Sequence, residues 1–325
     1  MKKFLYFYLV LFFLTACEST TRVPATEMST GSIAAVNTNT ELPLITTGGK
    51  ETAVPQSTPD MQRTPTSTLS PNAWKTIPVF PTGVSQRMID IYKRGLARGR
   101  NPSHFSKIGD CQNITPYFLA MFDNPSKFRL GDKYADLQDT IDHFSGSWSR
   151  VSMATHGGFN AATVLNQFWT LIPRPGECVK GESPSACEIR LNNPSFVIVS
   201  MEENFSDDIG KYDLYLRKLV DFILSQDVVP IIATRAESPA STHSINASVV
   251  QIANDYGIPL WNFGAAAASL PDNGLSKDGF HLTPGPVEGD FFFDDPTRME
   301  LGWVIRNLTA LQSIDATYRA IIDHP

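Results

Sequence analysis

The stretch HFSKIGDCQ, residues 104–112, is a β-leaning run that ends in Gly-Asp and is followed by a cysteine where a helix is expected to begin. A residue at the carboxyl end of a parallel strand meets backbone N–H groups and the positive end of the next helix dipole. Such a setting activates a thiol and stabilises an oxyanion. Cysteine is equally common as a small buried residue at tight turns. This stretch alone therefore leaves Cys111 as either a nucleophile or a core residue.

Further apolar runs follow at intervals that are typical of an α/β domain. Strands are predicted at 104–109 and at SRVSMA (149–154), FVIVSM (196–201), VVPIIAT (228–234) and IPLWNF (258–263). Helical patterns are predicted at 84–98, 116–122, Ala161–Leu171, 213–226, 246–256 and Thr297–Ile322. Together they predict a three-layer αβα sandwich around a five-stranded parallel sheet of the flavodoxin-like kind. The ligand site of such a fold lies beyond the carboxyl ends of its strands.

The N-terminal residues 1–17 have the pattern of a targeting segment. Two lysines precede the apolar run FLYFYLVLFFL, and LTAC follows at residues 14–17. That tetrapeptide resembles a bacterial lipobox, which implies cleavage before Cys17 and lipidation of its thiol; an ordinary secretory signal with a chance cysteine is the alternative. Residues 18–75 are rich in Ser, Thr and Pro and predict a disordered tether. Residues 76–325 then form the domain, which is expected to be lipid-anchored in the extracytoplasmic cell envelope.

The net charge limits the classes of possible partner, and the remaining cysteines indicate the redox state of the compartment. The formal net charge of −6 argues against nucleic acid as a partner. Cys178 and Cys187 lie in one loop, CVKGESPSAC, and predict a disulfide in a compartment where disulfides persist. Cys111 is then the odd cysteine, which makes it either inert or reactive. The other histidines show no metal-ligand spacing, so neither a metal nor a cofactor is expected.

A second candidate segment lies after the last predicted strand. SKDGFHLTP, residues 276–284, places Asp278 three residues before His281. A carboxylate that accepts a hydrogen bond from one ring nitrogen of a histidine leaves the other nitrogen to act as a base. The segment FFFDD at 291–295 follows closely, and its aromatic residues either form a ligand platform or anchor this loop to the core.

These segments resemble, in order and spacing, the conserved blocks of the SGNH or GDSL hydrolase superfamily. That family has Gly-Asp-Ser after the first strand, glycine after the second, Gly-x-Asn-Asp after the third and Asp-x-x-His near the C-terminus. The matching stretches are IGDCQ, THGGFNAAT, SMEENFS and KDGFHLT, and the resemblance covers about residues 85–320. It implies hydrolysis of ester bonds in carbohydrates or lipids without a metal or cofactor.

The resemblance also implies a role for each matching residue. Cys111 stands at the position of the nucleophilic serine, His281 at that of the base and Asp278 at that of its orienting carboxylate. The implied oxyanion hole consists of the backbone N–H groups of Cys111 and Gly158, with Gly157 as the alternative, and the side chain of Asn204.

Two departures from the family pattern keep three functions open. Cysteine replaces serine, and the third block has Glu202 in place of glycine and Phe205 in place of aspartate. A carboxylate at about 6 Å from a developing oxyanion would oppose it by about 3 kcal/mol at an effective dielectric constant of about 20. The domain is therefore an esterase or deacetylase with a cysteine nucleophile, an inactive relative that binds a carbohydrate or acylated ligand, or a tethered structural or partner-binding protein that uses no small-molecule pocket.

Overall fold

The computed structural model describes residues 67–115, 117–170, 174–201, 208–238, 241, 244–284 and 291–323. The chain divides into Met1–Gln62 and Arg63–Pro325, and the described residues belong to the second unit. The predicted targeting segment with Cys17, most of the predicted tether, and Glu202, Asn204 and Phe205 lie outside the described residues.

In the described part of the chain, helices and strands alternate from Pro194 onward. Helices α1 to α7 span Gln86–Ala97, Gln138–His143, Pro184–Asn192, Ile209–Ser225, Asn246–Tyr256, Phe263–Ala267 and Gly302–Ile322. Strands β1 to β6 span Asn101–Gly109, Phe128–Arg129, Pro194–Ser200, Val229–Ala233, Leu260–Trp261 and Phe291–Phe292. Short 3₁₀ turns lie at Ala73–Lys75, Cys111–Asn113, Ala120–Asp123, Asp132–Leu137, Thr163–Leu165, Gln167–Trp169, Pro271–Gly274 and Arg298–Glu300.

The main sheet is parallel, with strand order β1-β3-β4-β5, and the predicted α/β fold is confirmed. All seven residues of β3 are buried, as expected of a central parallel strand covered on both faces. Gly109 at the end of β1 pairs with Ser200 at the end of β3. The carboxyl ends of these two strands therefore lie side by side, at the edge where a ligand site is expected.

Helices cover both faces of this sheet. Phe196 of β3 packs against Tyr92 of α1, Phe144 at the end of α2 and Tyr318 of α7, with ring centroids 5.3, 5.8 and 6.4 Å apart. Helices α4 and α5 connect neighbouring parallel strands, pack against β4 and contact each other. Because crossover connections in such sheets are right-handed, α4 and α5 lie on one common face. None of the described helices combines the length and apolar character required to cross a membrane.

The prediction of five strands is wrong for its second strand. In SRVSMA no strand forms, and the next residue, Thr155, makes an isolated bridge to Gly109. Side chains satisfy the backbone instead: the Met153 N–H donates to Glu188 Oε2 at 2.8 Å and the Ala154 N–H to Ser152 Oγ at 3.0 Å. The main sheet of the described residues therefore has four strands.

Two helix predictions also need correction. The helix expected at Ala161–Leu171 is replaced, within the described residues, by the turns Thr163–Leu165 and Gln167–Trp169. Asn160 Oδ1 accepts from the Ala162 and Thr163 N–H groups, both at 3.0 Å, and so caps the first turn. Asn166 has an extended backbone and separates the first turn from the second. The segment at 116–122 contains a 3₁₀ turn rather than a helix.

The folded part begins before residue 76. Trp74 is buried at 7% exposure, and its backbone oxygen accepts from Asn262 Nδ2 at 2.6 Å. The Leu69 N–H donates to Gln251 Oε1 at 2.7 Å. At the other end of the domain, Phe291 and Phe293 are buried, so two of the three aromatic residues of FFFDD anchor the loop to the core.

Candidate functional site

Cys111 is the first residue of the turn Cys111–Asn113, which follows β1. Asp110 is fully buried, and its Oδ1 accepts from the Gln112 N–H at 3.2 Å, while its backbone oxygen accepts from the Asn113 N–H at 3.0 Å. Cys111 itself is partly exposed and is not in a disulfide. The helix predicted to begin here is a three-residue 3₁₀ turn, so a helix dipole contributes little at the thiol.

At the end of β1, the side chain of Asn113 packs against Gly109. Asn113 Nδ2 donates to the backbone oxygen of Ser200 at 2.8 Å, across the ends of β1 and β3. A Cβ at Gly109 would overlap the Asn113 amide and lie 2.6 Å from Ser200 O. Glycine is required at this position because no side chain leaves room for the Asn113 hydrogen bond.

The Gly-Gly segment lies beside the Cys111 turn. The Gly109 N–H donates to Ala154 O at 3.0 Å, and the His156 N–H donates to Gly109 O at 3.3 Å. A Cβ at Gly157 would lie 3.9 Å from the Cys111 Cβ. Gly158 has a φ of 84°, in the left-handed region that favours glycine. His156 hydrogen-bonds through Nδ1 to Gly157 O at 2.6 Å, in agreement with a structural role in this loop.

Asp278 and His281 form a hydrogen-bonded pair. His281 Nδ1 lies 2.7 Å from Asp278 Oδ2, and the two side chains are 44% and 51% exposed. Asp278 Oδ1 also accepts from the backbone N–H groups of Phe280 and His281, each at 3.0 Å. The Phe280 N–H and then the His281 ring lower the pKa of Asp278, so this carboxylate is ionised at neutral pH. Nδ1 is the ring nitrogen that faces this carboxylate, so Nε2 is the nitrogen left for other partners.

The His281 loop is connected to the Cys111 turn. Gln112 Nε2 donates to the backbone oxygen of Phe280 at 3.4 Å. The Phe280 and His281 rings meet edge to face, with centroids 5.1 Å apart. The structure therefore brings the segments of Cys111, Gly157 and His281 to one edge of the sheet, where the predicted site residues are expected.

A cavity of about 310 Å³ includes Asp278 in its lining, but among the described residues neither His281 nor Cys111 lines it. Its lining is formed by Arg235, Ala236, Glu237, Ser238, Ser241, Asp278, Gly279 and Phe280. Burial raises the pKa of Glu237, and its Oε1 lies 3.7 Å from Arg235 Nε. A second cavity of about 400 Å³ is lined by residues between Pro125 and Gln138 and contains none of the predicted site residues.

The predicted disulfide is confirmed. The sulfurs of Cys178 and Cys187 are 2.08 Å apart. Cys187 lies in α3 rather than in a loop. Among the described residues, Cys178, Glu182 and Cys187 are close enough to hold a metal ion, but two of the three ligand atoms are bonded to each other.

Two buried basic side chains, Lys107 and Arg306, were missed by sequence reasoning. Lys107 is 1% exposed in β1, and its Nζ donates to Thr115 Oγ1 at 2.9 Å and to Trp148 O at 2.8 Å. Burial lowers its pKa to about 7. Arg306 of α7 is fully buried, and its Nε donates to the backbone oxygen of Gln112 at 3.2 Å. Both lie in segments with an apolar or amphipathic sequence pattern. A basic residue at a position that such a pattern places in the core is the feature that could have identified them.

Comparison with solved structures finds a protein of similar structure. The structure is similar to that of a GDSL-like lipase from Bacteroides thetaiotaomicron VPI-5482, with a TM-score of 0.38 and 13% sequence identity. The match covers 70% of this chain and 98% of that chain. No protein-family model matches the chain, and neither does any curated protein.

Proposed function

We propose that the domain hydrolyses ester bonds in carbohydrate or lipid esters, with Cys111 as nucleophile, His281 as base and Asp278 as the orienting carboxylate. The observation that carries the proposal is the 2.7 Å contact between His281 Nδ1 and Asp278 Oδ2, on a loop that is hydrogen-bonded to the Cys111 turn. An ionised carboxylate that orients a half-exposed histidine corresponds to the base and its orienting group in a nucleophile–histidine–carboxylate site.

The mechanism proceeds in two steps. His281 Nε2 takes the thiol proton of Cys111, and the sulfur attacks the ester carbonyl carbon to form a C–S bond. When the tetrahedral intermediate collapses, the ester C–O bond breaks and His281 returns the proton to the leaving alcohol. A water molecule, deprotonated by His281, then attacks the thioester and releases the acid and the thiol.

The proposed oxyanion hole uses the backbone N–H groups of Cys111 and Gly158 and the side chain of Asn204. The 3.9 Å approach of a Gly157 Cβ position to the Cys111 Cβ supports placing the Gly-Gly segment at this hole. The cavity beside Asp278 and Phe280 supports a substrate that extends along this edge of the sheet. Its polar lining suits a hydroxylated substrate portion better than a purely apolar one.

The proposed location is the extracytoplasmic cell envelope, with a lipid anchor at Cys17. The LTAC sequence at 14–17 and the disulfide between Cys178 and Cys187 support it, since disulfides persist outside the cytoplasm. The proposed partners are the membrane, through this anchor, and an ester substrate; nucleic acid is not among them.

The test is alkylation of Cys111 by iodoacetamide as a function of pH, measured by mass spectrometry of the Cys111 peptide in the full chain. We expect rapid labelling with a midpoint below the free-thiol value of about 8.5, and a higher midpoint in His281→Ala. Hydrolysis of p-nitrophenyl acetate is expected to fall by about 100-fold or more in Cys111→Ala and in His281→Ala. His143→Ala, the same change away from the site, is the matched control.

Slow labelling that does not depend on His281 would contradict the cysteine mechanism. The second candidate function is then binding of a carbohydrate or acylated ligand without turnover. The specific observation that favours it is the altered third block, with Glu202 and Phe205 at the positions of glycine and aspartate. Calorimetric titration of the wild type with acetylated oligosaccharides, followed by analysis of the recovered ligand, distinguishes the two: a binding protein returns the ligand with its acetyl groups intact, whereas an esterase releases acetate.

A further inference from the structure

We propose that Arg306 is a positioning residue that fixes the Cys111 turn against the end of β3 and thereby sets the geometry between Cys111 and His281. The inference rests on the proposed function, because it concerns how the thiol is presented to the base. Arg306 lies on α7, more than 190 positions along the chain from the turn that it holds.

The environment of Arg306 is unusual for a cation. Its guanidinium lies 4.9, 5.0 and 5.1 Å from the ring centroids of Phe118, Trp261 and Phe263, and the residue has 0% exposure. Ring faces attract a cation and offset part of the desolvation cost. An apolar side chain of similar volume would fill this space without that cost. The charge and the hydrogen bonds are therefore what distinguishes arginine here.

The hydrogen bonds go to the Cys111 turn and to the end of β3. Nε donates to Gln112 O at 3.2 Å, and a terminal nitrogen donates to Asn113 Oδ1 at 3.3 Å and to Ser200 Oγ at 3.0 Å. Asn113 in turn donates to Ser200 O at 2.8 Å. One planar guanidinium thus joins the residue after Cys111, the last residue of its turn and the end of β3. A lysine, which has a single nitrogen, cannot make these bonds in the same fixed geometry.

The same helix also holds the His281 loop. The Gly302 N–H donates to Thr283 Oγ1 at 2.6 Å, and the Trp303 N–H donates to Thr283 O at 3.3 Å. Arg306 follows Gly302 by about one helical turn. The first turns of α7 therefore hydrogen-bond to both the His281 loop and the Cys111 turn. Arg306 provides the bonds to the Cys111 turn.

The experiment compares Arg306→Lys with the wild type in the full chain. The variant keeps the positive charge and loses the forked hydrogen bonds. We expect the alkylation midpoint of Cys111 to rise by about one pH unit. The kcat for p-nitrophenyl acetate is expected to fall by about 10-fold or more, with little change in KM. Arg319→Lys, the same change near the end of α7, is the control and is expected to leave both quantities unchanged.

The outcomes separate this inference from the proposed function. Suppose that the wild-type thiol labels rapidly, with a midpoint that depends on His281. If Arg306→Lys then has the wild-type midpoint and kcat, the role of Arg306 is only structural and the inference is wrong. If the wild-type thiol labels slowly and does not respond to His281→Ala, the proposed function fails, and this inference fails with it. Should Arg306→Lys not fold, Ser200→Ala decides in its place, because it removes one Arg306 acceptor; an unchanged midpoint there also overturns the inference.

Discussion

Gly109 occupies a position where a side chain of any size would collide with its neighbours. We expect Gly109→Ala to displace Asn113 and to lower the free energy of unfolding by about 1–3 kcal/mol, the usual cost of overpacking a rigid site. Urea denaturation measures this difference. Gly83→Ala is the matched control, since a Cβ at Gly83 would have no neighbour within 4 Å. Equal stability of the two variants would show that the turn yields to the added methyl group.

The Gly-Asp-Cys and Asp-x-x-His residues are the part of the site that the sequence could predict. Each is a short motif whose internal geometry is local: Asp278 caps the N–H groups of Phe280 and His281 within its own turn. Gln112, which connects the two loops, could not be predicted. Its partner Phe280 lies 168 positions away, and no local pattern marks such a contact.

Strand β1 carries a lysine inside the core, and this gives stability a pH dependence. The pKa of Lys107 is lowered to about 7, whereas in the unfolded chain it is about 10.4. Between these values the unfolded chain binds a proton that the folded chain does not. The free energy of unfolding therefore rises with pH, by at most about 1.4 kcal/mol per pH unit.

Urea denaturation between about pH 7.5 and pH 9 tests this slope, since the raised pKa values of Tyr92 and Tyr318 act against stability only at higher pH. Lys107→Met is expected to be less dependent on pH than the wild type. Lys93→Met, a change of an exposed lysine, is the control and should keep the wild-type slope. A wild-type slope in Lys107→Met would mean that other groups cause the dependence.

At the level of elements, the strands with continuous apolar runs were predictable and the polar ones were not. β3, β4 and β5 overlap the predicted apolar runs, because strands buried on both faces are apolar along their length. β1 begins at Asn101, three residues before its predicted start, and includes the buried Lys107. SRVSMA fails because the buried carboxylate of Glu188 accepts from the Met153 N–H, which a neighbouring strand would otherwise bind. The turns in 163–169 have a more local cause, since Asn160 and Asn166 each accept from backbone N–H groups that follow them.

For the molecule as a whole, the segment before residue 76 contributes to stability. Trp74 is almost fully buried, and Asn262 Nδ2 donates to the backbone oxygens of both Trp74 and Ile77. We expect Trp74→Ala to lower the free energy of unfolding by about 3 kcal/mol. Urea denaturation of the full chain measures it, with Trp169→Ala, at 39% exposure, as the control. A loss below about 1 kcal/mol, the size of an ordinary surface substitution, would contradict the packing role of Trp74.

The position of α7 in the chain has a consequence for the order of events in biogenesis. Chains are made from the N-terminus, so Cys111 and His281 are both synthesised before Gly302–Ile322. Until that last helix docks, neither Thr283 nor Gln112 has its anchor. The turn that carries Cys111 then lacks its Arg306 hydrogen bonds, so the proposed chemistry would wait for a helix that is synthesised after both Cys111 and His281.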